Sequence, residues 1–482
     1  MEPYILLIGA FERENLGDLL FPKIFDKILY PYQTVKGSLM GRDMTSIGGD
    51  LVVSAKEYLA VMANNLPQAV IHCGGETITC LKKNGVSMDL PPEIFEHDKG
   101  LYQFCENEIA KKIVSSNNPL AYLYNHQDLS PNTKTKFPIT FTSVGGSSLY
   151  KFKDDSKILS AIKSKLESSQ FLSVRDSKTQ AYLKKYLNIK TMLYPDVVHL
   201  LPRTNEVEIN QAENNLSVKN IISKKPYLLF QASKTTIDDV GIDEITQNLL
   251  KIIENSNMSL VFQPAGIASG HGSYKKLQAI ANSILSKNNK ATVIIQEDRN
   301  IWNKVAVIKN CTCAIGTSLH VRIIASSFEK PCVSLQNEKV SSYVKSWKID
   351  NQPYNIQFQD LPNAIKKALN TDSEKLKHIS SYMADTVDKG LKELIACLNI
   401  KTSPIKDTPK IAVFPISFYR SLSHETDLLR SIVAQNIIRK RGLQREVEAL
   451  RSSFSWRITE PIRWVGKKLR LAKQYLIPLK KN

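Results

Sequence analysis

The sequence predicts an α/β protein built from two Rossmann-like halves in series, and three observations carry that reading. Short apolar runs alternate with helical patterns along most of the chain, the pattern of parallel sheets crossed by helices. Most of the runs in the first half end in glycine or small residues, at the edge where open α/β sheets hold ligands. The series breaks once, at a polar, Asn/Glu/Lys-rich stretch from Leu200 to Lys225, and then starts again.

In the first half, Tyr4–Ile8 (YILLI) is the opening strand. It runs into a loop holding Asn15-Leu16-Gly17-Asp18, with a helix expected from about Leu19 to Leu29. Ala69–Cys73 is the second strand and ends at Gly74-Gly75; Ile139–Val144 is the third and ends at Gly145-Gly146. Phe171–Val174, before a helix near Asp176, and Met192–Tyr194, before Pro195-Asp196, complete the half. In the second half, strands are expected at Tyr227–Gln231, Leu260–Gln263, Thr292–Gln296, Cys313–Ile315 and Cys332–Leu335. Helical stretches separate them, and another from Asp372 to Leu398 closes the body. Two such halves with a site between them form a GT-B-like arrangement. The expected domains are residues 1–205 and 222–400, then a linker at 401–425 marked by Pro404, Pro409 and Pro415, and a tail at 426–482.

Length and composition limit the alternatives. At 482 residues the chain exceeds one ordinary core. No run of eighteen apolar residues occurs, and the start Met1-Glu2-Pro3-Tyr4 lacks the features of a secretory signal, so the expected compartment is the cytoplasm. Seven cysteines without a C-x-x-C pair suggest neither a disulfide framework nor a metal site; Cys311 and Cys313 read as core residues. No cofactor is expected. The net charge of +19 is uneven: from Arg420 to Asn482 fifteen Lys or Arg stand against five Asp or Glu. That places a basic appendage on a mildly basic body and argues against a nucleic-acid groove.

The tail is read as helical and basic. Residues 429–451 carry apolar side chains near heptad spacing, which suits a short coiled coil and self-association. Residues 456–482 mix Trp464, Leu469 and Tyr475 with Lys467, Lys468, Arg470 and Lys473. That mixture suits peripheral attachment to an anionic membrane surface, and equally a basic helix docked on the body or free in solvent.

The stretch richest in chemistry is Gly316-Thr317-Ser318-Leu319-His320-Val321-Arg322, a strand end, a small polar turn and a helix start. A helix start offers unpaired N–H groups and a positive dipole end to an anion. With His320 and Arg322 there, the corner suits a phosphorylated or carboxylated substrate; an ordinary crossover helix with two surface residues fits the same letters. The loop Gly266 to Gly272, with His271, reads either as a phosphate cradle or as a surface loop.

Three segments in order resemble the polysaccharide pyruvyl transferase family. They are Asn15-Leu16-Gly17-Asp18, like its N-x-G-D; Ser173-Val174-Arg175-Asp176 with Tyr194-Pro195-Asp196 downstream; and Gly316-Thr317-Ser318-Leu319-His320 through Pro331. The tail segment Ser455-Trp456-Arg457-Ile458-Thr459-Glu460-Pro461 resembles one appended to many bacterial glycosyltransferases of surface-polysaccharide assembly. The resemblance implies transfer of a pyruvyl group from phosphoenolpyruvate to a sugar of a cell-surface polysaccharide or its lipid-linked precursor, at the inner face of the membrane. One departure stands out: many members carry Arg two residues before the His, where this chain has Ser318 and instead has Arg322 two residues after it.

On that footing His320 is the residue for proton transfer, because imidazole changes protonation near neutral pH. Arg175 and Arg322 are expected to hold phosphate and carboxylate, which guanidinium matches in bidentate fashion. Thr317 and Ser318 would complete the cradle. Asn15 and Asp18 would face the acceptor, with Asp18 as base or as a helix cap. Gly74, Gly75 and Gly145 would let backbone approach the substrate, or simply allow tight turns. The alternatives on the same fold are a nucleotide-sugar glycosyltransferase and a non-catalytic scaffold of polysaccharide assembly.

Overall fold

The computed structural model describes residues 3–62, 65–89, 118–130, 136–254, 256–268, 271–398 and 400. The linker at 401–425, the coiled coil at 429–451 and the basic segment at 456–482 all lie outside them. Among the described residues no helix is long and apolar enough to cross a membrane.

Two sheets form the body, as the alternating pattern predicts. The first has eight strands: β1 (Tyr4–Ile8), β2 (Gln33–Ser38), β3 (Arg42–Asp43), β4 (Leu51–Ser54), β5 (Ala69–Cys73), β6 (Ile139–Val144), β7 (Phe171–Val174) and β8 (Met192–Leu193). Their spatial order is β3-β4-β2-β1-β5-β6-β7-β8, parallel except for the β3–β4 pair. The second sheet holds β9 (Tyr227–Gln231), β10 (Ser259–Phe262), β11 (Val293–Ile295), β12 (Cys313–Gly316) and β13 (Cys332–Ser334). Its order is β11-β10-β9-β12-β13, all parallel.

Strand alternation explains how the halves join. In β1, Ile5 and Leu7 point into one core while Tyr4, Leu6 and Ile8 point into another. In β9, Tyr227 and Leu229 enter the same core as Ile5 and Leu7, and Leu228 and Phe230 enter a third. Side chains along a strand alternate between its faces, so each parallel sheet is covered on both sides and its strands read as unbroken apolar runs. The shared core continues through Phe21, Val198, Val305, Ile323 and Tyr343, and spans both halves.

Besides β2, β3 and β4, which lie where no strand was expected, two segments differ from the sequence reading. The stretch 200–225 folds as the helices Leu201–Thr204, Glu206–Glu213 and Leu216–Ile222 rather than as a polar connection. Ile209, Ala212, Val218 and Ile221 join the shared core from it. The closing helix Ser373–Leu398 follows the second sheet in sequence but packs back on the first half. A Cβ at Gly390 would lie 2.5 Å from the Tyr194 ring, so the helix needs glycine at that crossing.

A backbone zipper joins the loops after β1 and β10. Leu16 N–H donates to Ala265 O at 2.8 Å, and Ile267 N–H donates to Glu14 O at 3.2 Å. A Cβ on Gly266 would stand 2.4 Å from the Glu14 carbonyl oxygen, so only bare backbone fits there. Glu14 is buried and receives Arg299 Nε at 2.7 Å, with Lys304 Nζ at 3.6 Å. The zipper fixes Asn15 and the start of the helix Leu16–Ile28, which begins earlier than the expected Leu19 and carries Asp18, against the second half.

Candidate active site

Where the carboxyl ends of the two sheets face each other, a cleft of about 580 Å³ opens. Asn15, Asp18, Gly75, Arg175, Thr317, Ser318 and His320 line it, as the sequence suggested. Arg13, Glu76, Gln231 and Lys339 line it as well, although the sequence reading assigned them no role in a site, and so does His271 of the loop read either as a phosphate cradle or as a surface loop.

His320 occupies the first turn of the Leu319–Ser327 helix. Ser318 caps that helix, its Oγ accepting from Val321 N at 3.4 Å. The imidazole is nearly buried and meets the Phe21 ring edge-on, with centroids 5.7 Å apart. It also lies directly on Gly17: a Cβ there would come within 1.9 Å of His320 Nδ1. The glycine of Asn15-Leu16-Gly17-Asp18 is therefore the seat of the histidine of the other half. Gly17→Ala is expected to lower stability by about 1–3 kcal/mol through overpacking. Alanine is by itself the better helix residue by about 1 kcal/mol. Urea denaturation reads the net of the two opposing terms, and a midpoint raised by the propensity gain alone would contradict this packing.

Behind the imidazole stands Asp196, fully buried. His320 Nε2 is 3.5 Å from its Oδ2, close enough for an ion pair though without hydrogen-bond geometry. Arg175 NH1 donates to the same oxygen at 3.1 Å, and Val198 N–H donates to Oδ1 at 3.1 Å. Burial alone would raise the Asp196 carboxyl; His320, Arg175 and the Val198 amide outweigh it and hold the group at about 2. Arg175 reaches forward with NH2 to Glu76 Oε2 at 3.2 Å, and Ser147 Oγ donates to Glu76 Oε1 at 2.8 Å. Burial works against ionised Glu76 too, but Lys339, Arg175 and Ser147 overcome it and lower its pKa. The result is a row of groups, Glu76, Arg175, Asp196 and His320, running from the cleft wall to the helix start.

On the first-half side, Arg13 Nε donates to Asp18 Oδ2 at 3.0 Å, and the Arg13 guanidinium lies over the Tyr122 ring at 5.6 Å. Asp18 thus faces the cleft from an ion pair, and it does not cap the helix. His271 is pushed down to about 4, by burial first and then by Arg13 and Lys339 against Asp18, so it is neutral near pH 7. Cys80, beside Arg13, is pushed up to about 11, by burial above all, and stays a thiol.

Three expected contacts take other roles. Arg322 does not line the cleft: NH1 donates to Ser334 Oγ (2.9 Å) and Pro353 O (3.0 Å), and NH2 to Gln352 O (3.0 Å). Two residues along a helix turn about 200°, so Arg322 points away from the side that carries His320. Gly74, at φ +53°, makes room for packing, since a Cβ would lie 2.0 Å from the Phe21 ring. Gly145 makes room for the ion pair: a Cβ would lie 2.5 Å from Glu76 Oε2 and 3.0 Å from Arg175 Nε. Asp176, by contrast, is the helix start the sequence suggested, its Oδ1 accepting from Thr179 N at 2.8 Å.

Comparison with known proteins bears on this cleft. The family model described as polysaccharide pyruvyl transferase matches residues 99–339, half of the chain. Among solved structures, the chain is similar in fold to UDP-GlcNAc 2-epimerase from Methanocaldococcus jannaschii. The two share 12% identity over 82% of this chain and 100% of that one, with a TM-score of 0.50. The UDP-N-acetylglucosamine 2-epimerase from Rickettsia bellii is similar at 12% identity, over 83% of this chain and 97% of that one, also with a TM-score of 0.50. At such identity the likeness is one of fold, and the fold is GT-B-like. No curated protein matches the sequence significantly.

Proposed function

The chain belongs to the polysaccharide pyruvyl transferase family and is by that membership a transferase, and we propose that it forms a cyclic pyruvate ketal on a sugar with phosphoenolpyruvate as donor. The observation that carries the proposal is the seating of His320. Its imidazole sits in a cleft lined by cations from both halves, on Gly17 of one motif, with the ionised Asp196 carboxylate behind it.

The chemistry asks for four things, and the cleft offers a group for each. The methylene carbon of the donor gains a proton, and positive charge develops on the neighbouring carbon. A first sugar hydroxyl adds there and loses its proton. The carbon–oxygen bond to phosphate then breaks, and a second hydroxyl adds and gives up its proton. His320 is the proton donor to the methylene carbon, and in its neutral form accepts the proton of the first hydroxyl. Asp196 stands behind the imidazole and orients it, the role of a buried carboxylate behind a catalytic histidine. Arg175, already oriented by two carboxylates, and Lys339 at the rim face the phosphate and carboxylate of the donor together with the Leu319–Ser327 helix start. Asp18 and Asn15 face the acceptor hydroxyls from the first half, and the proton of the second hydroxyl leaves with the departing phosphate as hydrogen phosphate.

Thermal unfolding tests the donor. Phosphoenolpyruvate at a hundred times its dissociation constant would stabilise the fold by about 2.7 kcal/mol, a rise of several degrees in midpoint. A panel of nucleotide sugars is expected to leave the midpoint unchanged. A rise with a nucleotide sugar alone would replace this reading by glycosyl transfer, and no rise with either would support a scaffold.

A further inference from the structure

Gln231 ends β9 beside Gly316 at the end of β12, and its side chain reaches the turn before the Leu319–Ser327 helix. The side-chain oxygen Oε1 accepts from Ser318 N–H at 2.8 Å and Thr317 N–H at 3.1 Å. Thr317 Oγ1 is itself fixed, accepting from Ser233 N–H at 3.1 Å. A Cβ on Gly316 would come within 2.7 Å of Oε1, so the bare strand end is what admits the amide. The oxygen therefore sits where an anion's oxygen would meet the turn at this helix start.

Two backbone donors aimed at one atom require it to be the oxygen, so the amide has a single orientation, and its other end is the NH₂ group. That nitrogen has no protein partner among the described residues, and the residue is 4% exposed on the cleft wall with His320, Ser318 and Ser233. An amide whose oxygen accepts two hydrogen bonds is polarised, which strengthens its own N–H as a donor. A fixed, polarised NH₂ beside a helix start and a histidine, with no protein acceptor, calls for an anionic oxygen in the cleft.

We infer that Gln231 binds an anionic oxygen of the donor, phosphate or carboxylate, through its side-chain NH₂. The inference rests on the phosphoenolpyruvate reading above. It also offers this chain a donor contact close to Ser318.

Gln231→Glu separates binding from architecture. A carboxylate keeps two acceptors for the Thr317 and Ser318 N–H groups and is favoured by the helix start, so the melting temperature holds or rises. It removes the NH₂ and puts negative charge against the donor. Loss of one hydrogen bond to a charged group predicts at least about a 10-fold rise in Kd for phosphoenolpyruvate. A matching rise in KM is expected, with kcat changing much less. Wild-type affinity in Gln231→Glu overturns the inference. Because the added charge by itself also weakens anion binding, the side-chain amide ¹⁵N–¹H signals of Gln231 in the wild-type protein separate a direct contact from a residue that merely braces the turn. They also decide the matter should that variant fail to fold. A shift on adding inorganic phosphate or phosphoenolpyruvate supports the contact, and no shift in the bound protein overturns it. A wild-type protein that binds neither probe would overturn the donor reading itself, a result distinct from equal binding by both proteins.

Discussion

Replacing His320 with alanine is expected to lower ketal formation by about a thousandfold while leaving the protein folded, within the 10²–10⁴ range for loss of a positioned acid–base group. The fold should survive because the ring rests between Phe21, Gly17 and the cleft rather than inside an apolar core. Phosphate released from phosphoenolpyruvate in the presence of acceptor reads turnover, and circular dichroism reads the fold. A loss below about tenfold in a folded variant would remove His320 from the chemistry.

The second large effect falls on Asp196, which the sequence reading named as the end of the Tyr194-Pro195-Asp196 segment. Asp196→Asn leaves the buried Arg175 with half its countercharge and His320 with a neutral neighbour. Breaking a buried ion pair costs about 3–5 kcal/mol, and losing the carboxylate behind a catalytic histidine costs about 10²-fold or more in turnover. The acid limb of stability carries its own signature. The Asp196 carboxyl lies near 2 in the fold against an ordinary 3.8. Its contribution is therefore complete above about pH 4 and is lost as pH falls toward about 2, about 2 kcal/mol in all. The asparagine variant should lack that part of the acid dependence. A wild-type-like acid limb and wild-type turnover in the variant would contradict the assignment.

Parts of this architecture are legible because buried parallel strands write themselves as apolar runs. YILLI, AVIHC, ITFTSV and YLLFQ are found at β1, β5, β6 and β9 with their predicted ends. The strand QTVKGS at β2 escaped notice because its first four residues are only half-buried and three of them, Gln33, Thr34 and Lys36, carry polar side chains. The stretch 200–225 escaped for a related reason: its helices are short, and their buried residues Ile209, Ala212, Val218 and Ile221 are diluted by Asn, Glu and Lys. In the site, motif residues at strand ends were traceable because strand direction fixes where they emerge. Glu76 and Gln231 belong to no spacing pattern; they matter because Gly145 and Gly316 are bare opposite them, a relation that exists only in three dimensions. Arg322 misled for a geometric reason, since helix phase decides which side of the first turn meets the cleft.

The central claim is that one anionic donor is held at once by the helix start of the second half and by Arg175 of the first, in the cleft where His320 rests on the Asn15-Leu16-Gly17-Asp18 segment. Hydrogen exchange with and without phosphoenolpyruvate tests it without knowledge of the acceptor. Slowed exchange is expected together in residues 13–19 and 317–323, with the outer-face helices unchanged. Protection confined to other segments, or no protection at saturating phosphoenolpyruvate, would contradict the claim.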